Sequence, residues 1–132
     1  LLLNTLLAQG FTHVFSSIGL SADGQLLNVN ADIAAAAICQ LVQGQLVLLT
    51  DVPGILDANM QLIPTLTAAE AQQLVTDGVI KGGMKVKLDA ALETAQALKR
   101  NITVAGWQHP DDLLKLMQQE AVGTNIIYTE SN

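Results

Sequence analysis

Aromatic residues are nearly absent from this sequence: one Trp, one Tyr and two Phe among 132 residues. So few rings provide no platform on which successive nucleobases could stack. Positive charge is scarce too, six Lys and Arg against twelve Asp and Glu, for a net charge of −6. A nucleic-acid surface needs a basic stripe to neutralise phosphates, so a nucleic-acid partner is not expected. The single cysteine, Cys39, excludes an internal disulfide and a thiolate zinc site, and fits a reducing, cytoplasmic setting. Long apolar runs are missing. The longest, Ile33 to Cys39, has seven residues, against about 20 for a membrane span, so no membrane partner is expected. A signal peptide is not expected either, because polar Asn4 and Thr5 follow Leu1-Leu2-Leu3 directly and no small-residue cleavage site appears. An opening without Met or a charged leader reads as a helix caught mid-chain, so the expectation is a fragment.

What is present is aliphatic: half of the residues are hydrophobic. The length suits one domain, residues 1–132, burying roughly 68% of its unfolded surface. Segment types alternate along it. Leu1 to Gln9 reads as a helix stopped by Gly10, and His13 to Ser17 as a short strand. Asp23-Gly24 between Ile18 and Leu26-Leu27-Asn28-Val29 is a hairpin signal. Ala31 to Val42 is a helix with Ala34, Ala37, Ile38 and Leu41 at core-facing spacing. Gln45 to Thr50 is a near-continuous apolar strand of the kind buried in parallel sheets. Thr67-Ala68-Ala69-Glu70 is a capping box for a helix ending at Gly78. A helix over about Met84 to Lys99 carries the stripe Leu88, Ala91, Leu92, Ala95, Leu98. Ile102 to Ala105 and Ile126 to Tyr128 are strands, and Pro110-Asp111-Asp112 opens a helix between them. Strands separated by helices predict an α/β fold, a mainly parallel sheet sandwiched between helices with short β-hairpins, and ligands beyond the C-terminal strand ends.

Three places could carry chemistry. Lys81, Lys85 and Lys87 cluster around Gly82-Gly83 at a helix start. Lysine there opposes the helix dipole, so an anion cradled by glycine N–H groups would explain the placement; a solvated basic patch is the alternative. Thr50-Asp51-Val52-Pro53-Gly54-Ile55-Leu56-Asp57 follows the buried strand, either bordering a ligand crevice or making an ordinary turn, with Pro53-Gly54 predicting type II. Asn28-Val29-Asn30-Ala31-Asp32 enters a helix: Asn30 could cap it and Asp32 complement its dipole, which leaves Asn28 idle. His13 and His109 have no ligand spacing, and no metal site is expected; Cys39 reads as inert core. Walker A, G-x-G-x-x-G and protein-kinase signatures are missing.

Taken together, LLNVNAD (Leu26 to Asp32), LLTDVPGIL (Leu48 to Leu56), GGMKVKLDAAL (Gly82 to Leu92), SSIG (Ser16 to Gly19) and Gly123-Thr124 resemble the amino-acid kinase family, in the branch that phosphorylates N-acetyl-L-glutamate. The order and spacing fit over essentially the whole chain. The resemblance implies ATP-dependent phosphorylation of a side-chain carboxylate, with ATP and its Mg2+ bound by this chain as the nucleotide-binding C-terminal portion of the enzyme. It places Asp51, Val52, Pro53, Gly54, Ile55 and Leu56 at the nucleotide, together with Val79, Ile80, Lys81, Gly82, Gly83 and Met84. Lys87 would stabilise the transferring phosphoryl group, Asp32 would orient the catalytic lysines, and Asn28 would contact N-acetyl-L-glutamate. Lys85 stands where the family carries an apolar residue. The substrate loops and second lysine of the family's N-terminal half have no counterpart here. The whole enzyme would be a homo-oligomer. A nucleotide-binding module without catalysis, and another amino-acid kinase, are the competing readings.

Overall fold

The computed structural model describes residues 2–130. Leu1, the expected first residue of the opening helix, lies outside them. Helix α1 spans Leu2–Ala8 and ends at Gly10, whose φ of +83° suits only a residue without Cβ. Strands β1 (Ile18–Leu20) and β2 (Leu26–Asn28) form the antiparallel hairpin that Asp23-Gly24 predicts. Gly24 has φ +84°, and Ser21 bonds both the Asp23 carboxylate and the Gln25 backbone across the turn. The expected strand at His13 to Ser17 is instead irregular; pairing starts at Ile18.

Helix α2 is Ala31–Val42, with the bounds the sequence predicts. Asn30 is its N-cap, accepting from the N–H groups of Asp32 (2.9 Å) and Ile33 (3.3 Å). Asn30→Ala is therefore expected to lower stability by ~1 kcal/mol in a urea titration; an unchanged midpoint would contradict the cap. The buried face of α2 differs from the expected one. Ala36 and Cys39 are buried, Ala37 is exposed and Leu41 is 67% exposed. The segment is apolar on every side, so periodicity alone cannot choose its inward face. Burial pushes the Cys39 thiol pKa up, as expected for a core residue.

The main sheet has the order β3-β5-β6-β4, with β3 Val47–Thr50, β4 Thr65–Thr67, β5 Ile102–Gly106 and β6 Thr124–Ile127. β3 pairs parallel with β5 and β4 with β6; β5 and β6 join antiparallel. The fold is thus α/β with a mainly parallel sheet. β4 escapes sequence reading because it is three residues long, sits at an edge and begins directly after Pro64.

Helix α3 (Ala68–Thr76) starts on the expected capping box. Hydrogen bonds from the Thr67 backbone N–H and hydroxyl hold the Glu70 carboxyl below its ordinary pKa. Helix α4 spans Gly82–Leu98 and takes in both glycines. It buries Leu88, Ala90, Ala91, Thr94 and Ala95 against α2, α3 and the sheet, where Ile102, Val104, Ile126 and Leu66 complete one core. Burying a leucine such as Leu88 stabilises by ~1.5–3 kcal/mol. Thr94 is satisfied by the Gln40 side chain at 3.3 Å. On the sheet's other face, Leu116 of α5 (Asp111–Met117) and the residues after it share a groove with Thr65, Thr103 and Asn125. No helix among the described residues is long and apolar enough to cross a membrane.

Candidate functional site

Strand β3 delivers the chain at Thr50 to the loop 51–56, at the C-terminal strand end where α/β sheets place ligands. Three hydrogen bonds from the end of β5 hold this loop: Trp107 N–H to Thr50 O (3.0 Å), Gln108 Nε2 to Asp51 O (2.8 Å) and Gly106 N–H to Pro53 O (3.2 Å). Pro53-Gly54 is not the type II turn that the dipeptide predicts, since that turn needs a positive φ at Gly54, which the structure lacks. Glycine is required there for space instead. A Cβ on Gly54 would lie 2.7 Å from Leu62 Cδ1 and 2.8 Å from Thr124 Oγ1.

The loop and the approach to α4 form one cleft of about 160 Å3. Val52, Gly54, Ile55 and Leu56 line one side, and Val79, Ile80, Lys81 and Met84 the other. Asp51, Pro53, Gly82 and Gly83 flank these residues in the chain. Asp57 and Met60 also line the cleft. Asp57 closes the segment that the sequence offers as a crevice border, whereas Met60 carries no local signal of what it faces. Gly78 (φ +72°) ends the α3 turn, and Val79 and Ile80 both donate to Leu74 O, which aims the chain at the cleft.

The first turn of α4 is open. Lys81 occupies the N-cap position without a side-chain capping bond, and the turn holds no acidic residue. Cβ atoms built on Gly82 and Gly83 would meet nothing within 4 Å. Backbone N–H groups at such an end have no intrahelical partner and favour an anion.

The two lysines of α4 have different surroundings. Lys85 is exposed and pairs at 2.6 Å with Asp89 one turn along its own helix, a contact of little energetic weight. Lys87 crosses to α2 and meets Asp32 Oδ1 at 2.6 Å, with side chains only 12% and 24% exposed. Lys87 lies three residues beyond Met84, so the pair sits one helical turn along from the cleft wall. Asp32 stands in the first turn of α2, where the helix end also favours its charge. Asn28 ends β2 opposite Ile18, exposed and outside both the cap and the cleft.

A loop held at a strand end and an open helix N-terminus thus meet at one cleft of an α/β fold with a mainly parallel sheet. Residues 2–106 match the amino acid kinase family, and the chain belongs to that family. Among curated relatives, it is 52% identical over 125 residues to the acetylglutamate kinase of Moritella profunda, covering 95% of this chain and 47% of that one. It is 50% identical over 127 residues to the acetylglutamate kinase of Serratia proteamaculans, covering 96% and 49%. The chain thus spans about half the length of the curated relatives it matches. In structure it is similar to N-acetylglutamate synthase from Neisseria gonorrhoeae, solved with coenzyme A and L-arginine (TM-score 0.87, 25% identity, 97% of this chain and 30% of that one). Carbamate kinase from Giardia lamblia, solved with AMP-PNP, shares the fold at TM-score 0.64 and 20% identity, over 85% of this chain and 41% of that one.

Proposed function

We propose that this chain is the nucleotide-binding portion of an acetylglutamate kinase, which transfers the γ-phosphoryl group of ATP to the side-chain carboxylate of N-acetyl-L-glutamate, giving N-acetylglutamyl 5-phosphate for arginine biosynthesis. The observation that carries this reading is the convergence of loop 51–56 and residues 79–84 on one cleft beside the open N-terminus of α4. Half of the positions are identical to named acetylglutamate kinases, which supports the choice of acceptor. Phosphoryl transfer between two anions is catalysed mainly by positioning and charge stabilisation. In a chain of net charge −6, Lys81 and Lys87 supply that charge and Asp32 orients Lys87; Mg2+ bound with the nucleotide would supply further charge neutralisation at its phosphates. Asn28 contacts the acetylglutamate.

The surface of residues 2–41 supports a division of labour with a further stretch of polypeptide, such as the part of the relatives that this chain does not match. Phe11, Val14, Phe15, Ile18, Leu20, Leu26, Ile33 and Leu41 are all exposed there. His13 Nε2 is buried without a hydrogen-bond partner. β3 lies at a sheet edge, and an apolar groove of about 870 Å3 runs beside it between Phe15, α2 and Val47. Patches this apolar belong to interfaces.

Isothermal titration of this chain with MgATP is expected to show binding, and a coupled assay with N-acetyl-L-glutamate to show no turnover. Adding the part of the Moritella profunda enzyme that this chain does not match, as a separate polypeptide, is expected to restore turnover. Absence of MgATP binding would overturn the nucleotide reading. Turnover by the unaided chain would overturn the division.

A further inference from the structure

Thr124 opens β6 and is fully buried, 69 residues away in sequence from the loop it touches. Its Oγ1 accepts from Ile55 N–H at 2.8 Å and donates to Ile63 O at 2.7 Å. Ile55 and Ile63 face each other across the base of the 55–63 excursion, where Ile63 N–H also donates to Ile55 O at 2.9 Å. One hydroxyl therefore ties both arms of this base to the central sheet. It lies against Gly54, whose missing Cβ leaves the room it uses. Its own seat is set by Gly123, with φ +66° and its Cα hydrogen turned toward Val104 O in β5. Together with the bonds from Gly106 and Gln108, the loop is held at its start by β5 and at its end by β6.

We infer that Thr124 is a positioning residue that fixes Gly54 and Ile55 in the shape the nucleotide cleft requires. This rests on the nucleotide reading proposed above. Thr124 is absent from the cleft lining, so it acts through the loop alone. Its apolar isostere would leave the buried Ile55 N–H unpaired and take the donor from the partly buried Ile63 C=O, and the loop would move to satisfy them. Rotation at Ile55 would displace Val52, Gly54 and Leu56 together, because the loop is short and pinned at its other end.

The test compares three variants of the 132-residue chain, titrated with MgATP by calorimetry and by the emission of Trp107, the only tryptophan and one bonded to Thr50 O. Thr124→Val is expected to weaken MgATP binding about 5- to 20-fold. Thr124→Ser, which keeps the hydroxyl, should restore it to within about twofold of the unsubstituted chain. Thr94→Val removes another buried threonine hydroxyl, bonded to Gln40 and remote from the loop. It should lower the melting temperature yet leave MgATP affinity unchanged. Amide hydrogen exchange supplies a readout without ligand: Thr124→Val should speed exchange at Ile55 and Ile63 while α2 and α4 keep their protection. Should Thr124→Val fail to fold, Thr124→Ala is read in the same way. Unchanged affinity in the valine variant, or a loss matched by Thr94→Val, overturns the positioning role. If the unsubstituted chain fails to bind MgATP, the nucleotide reading falls, and the exchange measurement alone then decides whether Thr124 orders the loop.

Discussion

Replacing Lys87 with alanine in the chain extended to its relatives' full length is expected to lower kcat about 10²–10³-fold, with little change in the KM for ATP. That is the usual loss when one preorganised charge-stabilising group is removed. The ammonium is held in place. Most of its side chain is withdrawn from water, and Asp32 Oδ1 fixes it at 2.6 Å from a second helix. In the proposed role its interaction with the transferring phosphoryl group would strengthen as charge spreads over the equatorial oxygens, so the loss is expected on turnover rather than on ground-state binding. Lys85 offers the internal comparison. It carries the same charge two residues away, is exposed and is paired only along its own helix. Lys85→Ala should remain within a few-fold of the unsubstituted enzyme. Lys87→Arg should also lose most activity, because a planar fork does not replace a compact ammonium. The competing role for the Lys87–Asp32 pair is mechanical, a tie between α2 and α4. Breaking a partly buried pair destabilises whichever role it serves. Melting temperature therefore does not separate the two roles, but kcat does. A Lys87→Ala enzyme that melts lower and turns over normally would assign the pair to structure, and a larger kcat loss at Lys85 would show that the other lysine does the chemistry.

The division between what the sequence makes legible and what it does not follows interaction range. Every device confined to a few neighbouring residues can be read directly. The bounds of α2 with its Asn30 cap, the Thr67–Glu70 capping box, and the glycine stops at Gly10 and Gly78 all depend on backbone groups within four residues. The hairpin at Asp23-Gly24 is of the same kind. What fails locally depends on partners distant in the chain. The inward face of α2 is chosen by α4, some fifty residues later, and an all-apolar run holds no record of that choice. Gly54 looks like a turn glycine until Thr124 is placed against it. Strand β4 is defined by β6 rather than by its own three residues. The candidate site divides in the same way. Its loop and helix start stand out as contiguous motifs, whereas the grip of Gln108 and Thr124 on that loop joins positions 57 and 69 residues apart.

The largest expected loss of stability comes from Gly123→Ala. Two separate costs meet at this position. The backbone has φ +66°, where an L residue is strained by ~1–2 kcal/mol. The new Cβ would also lie 2.2 Å from Val104 O, 2.8 Å from Ala105 Cα and 3.0 Å from Ala105 Cβ. Those atoms belong to β5, a central strand whose Val104 and Ala105 are fully buried, so they cannot give way as the tip of a flexible side chain would. Forcing a methyl group into such packing costs a further ~1–3 kcal/mol. A small domain is stable by only ~5–15 kcal/mol in total, so the combined loss is a large share of it. The expected fall in melting temperature is roughly 10–20 °C. Gly24 separates the two costs. Its φ is +84°, but a Cβ there would meet nothing within 4 Å. Gly24→Ala should therefore show the backbone strain alone, a fall of roughly 3–8 °C. Thermal melts of the two variants, followed by far-UV circular dichroism at equal protein concentration, decide the matter. Equal shifts would mean that β5 can move aside and that backbone strain is the whole effect. A Gly123→Ala loss at least twice that of Gly24→Ala is expected from the rigidity of β5, which also seats Thr124 beneath the loop.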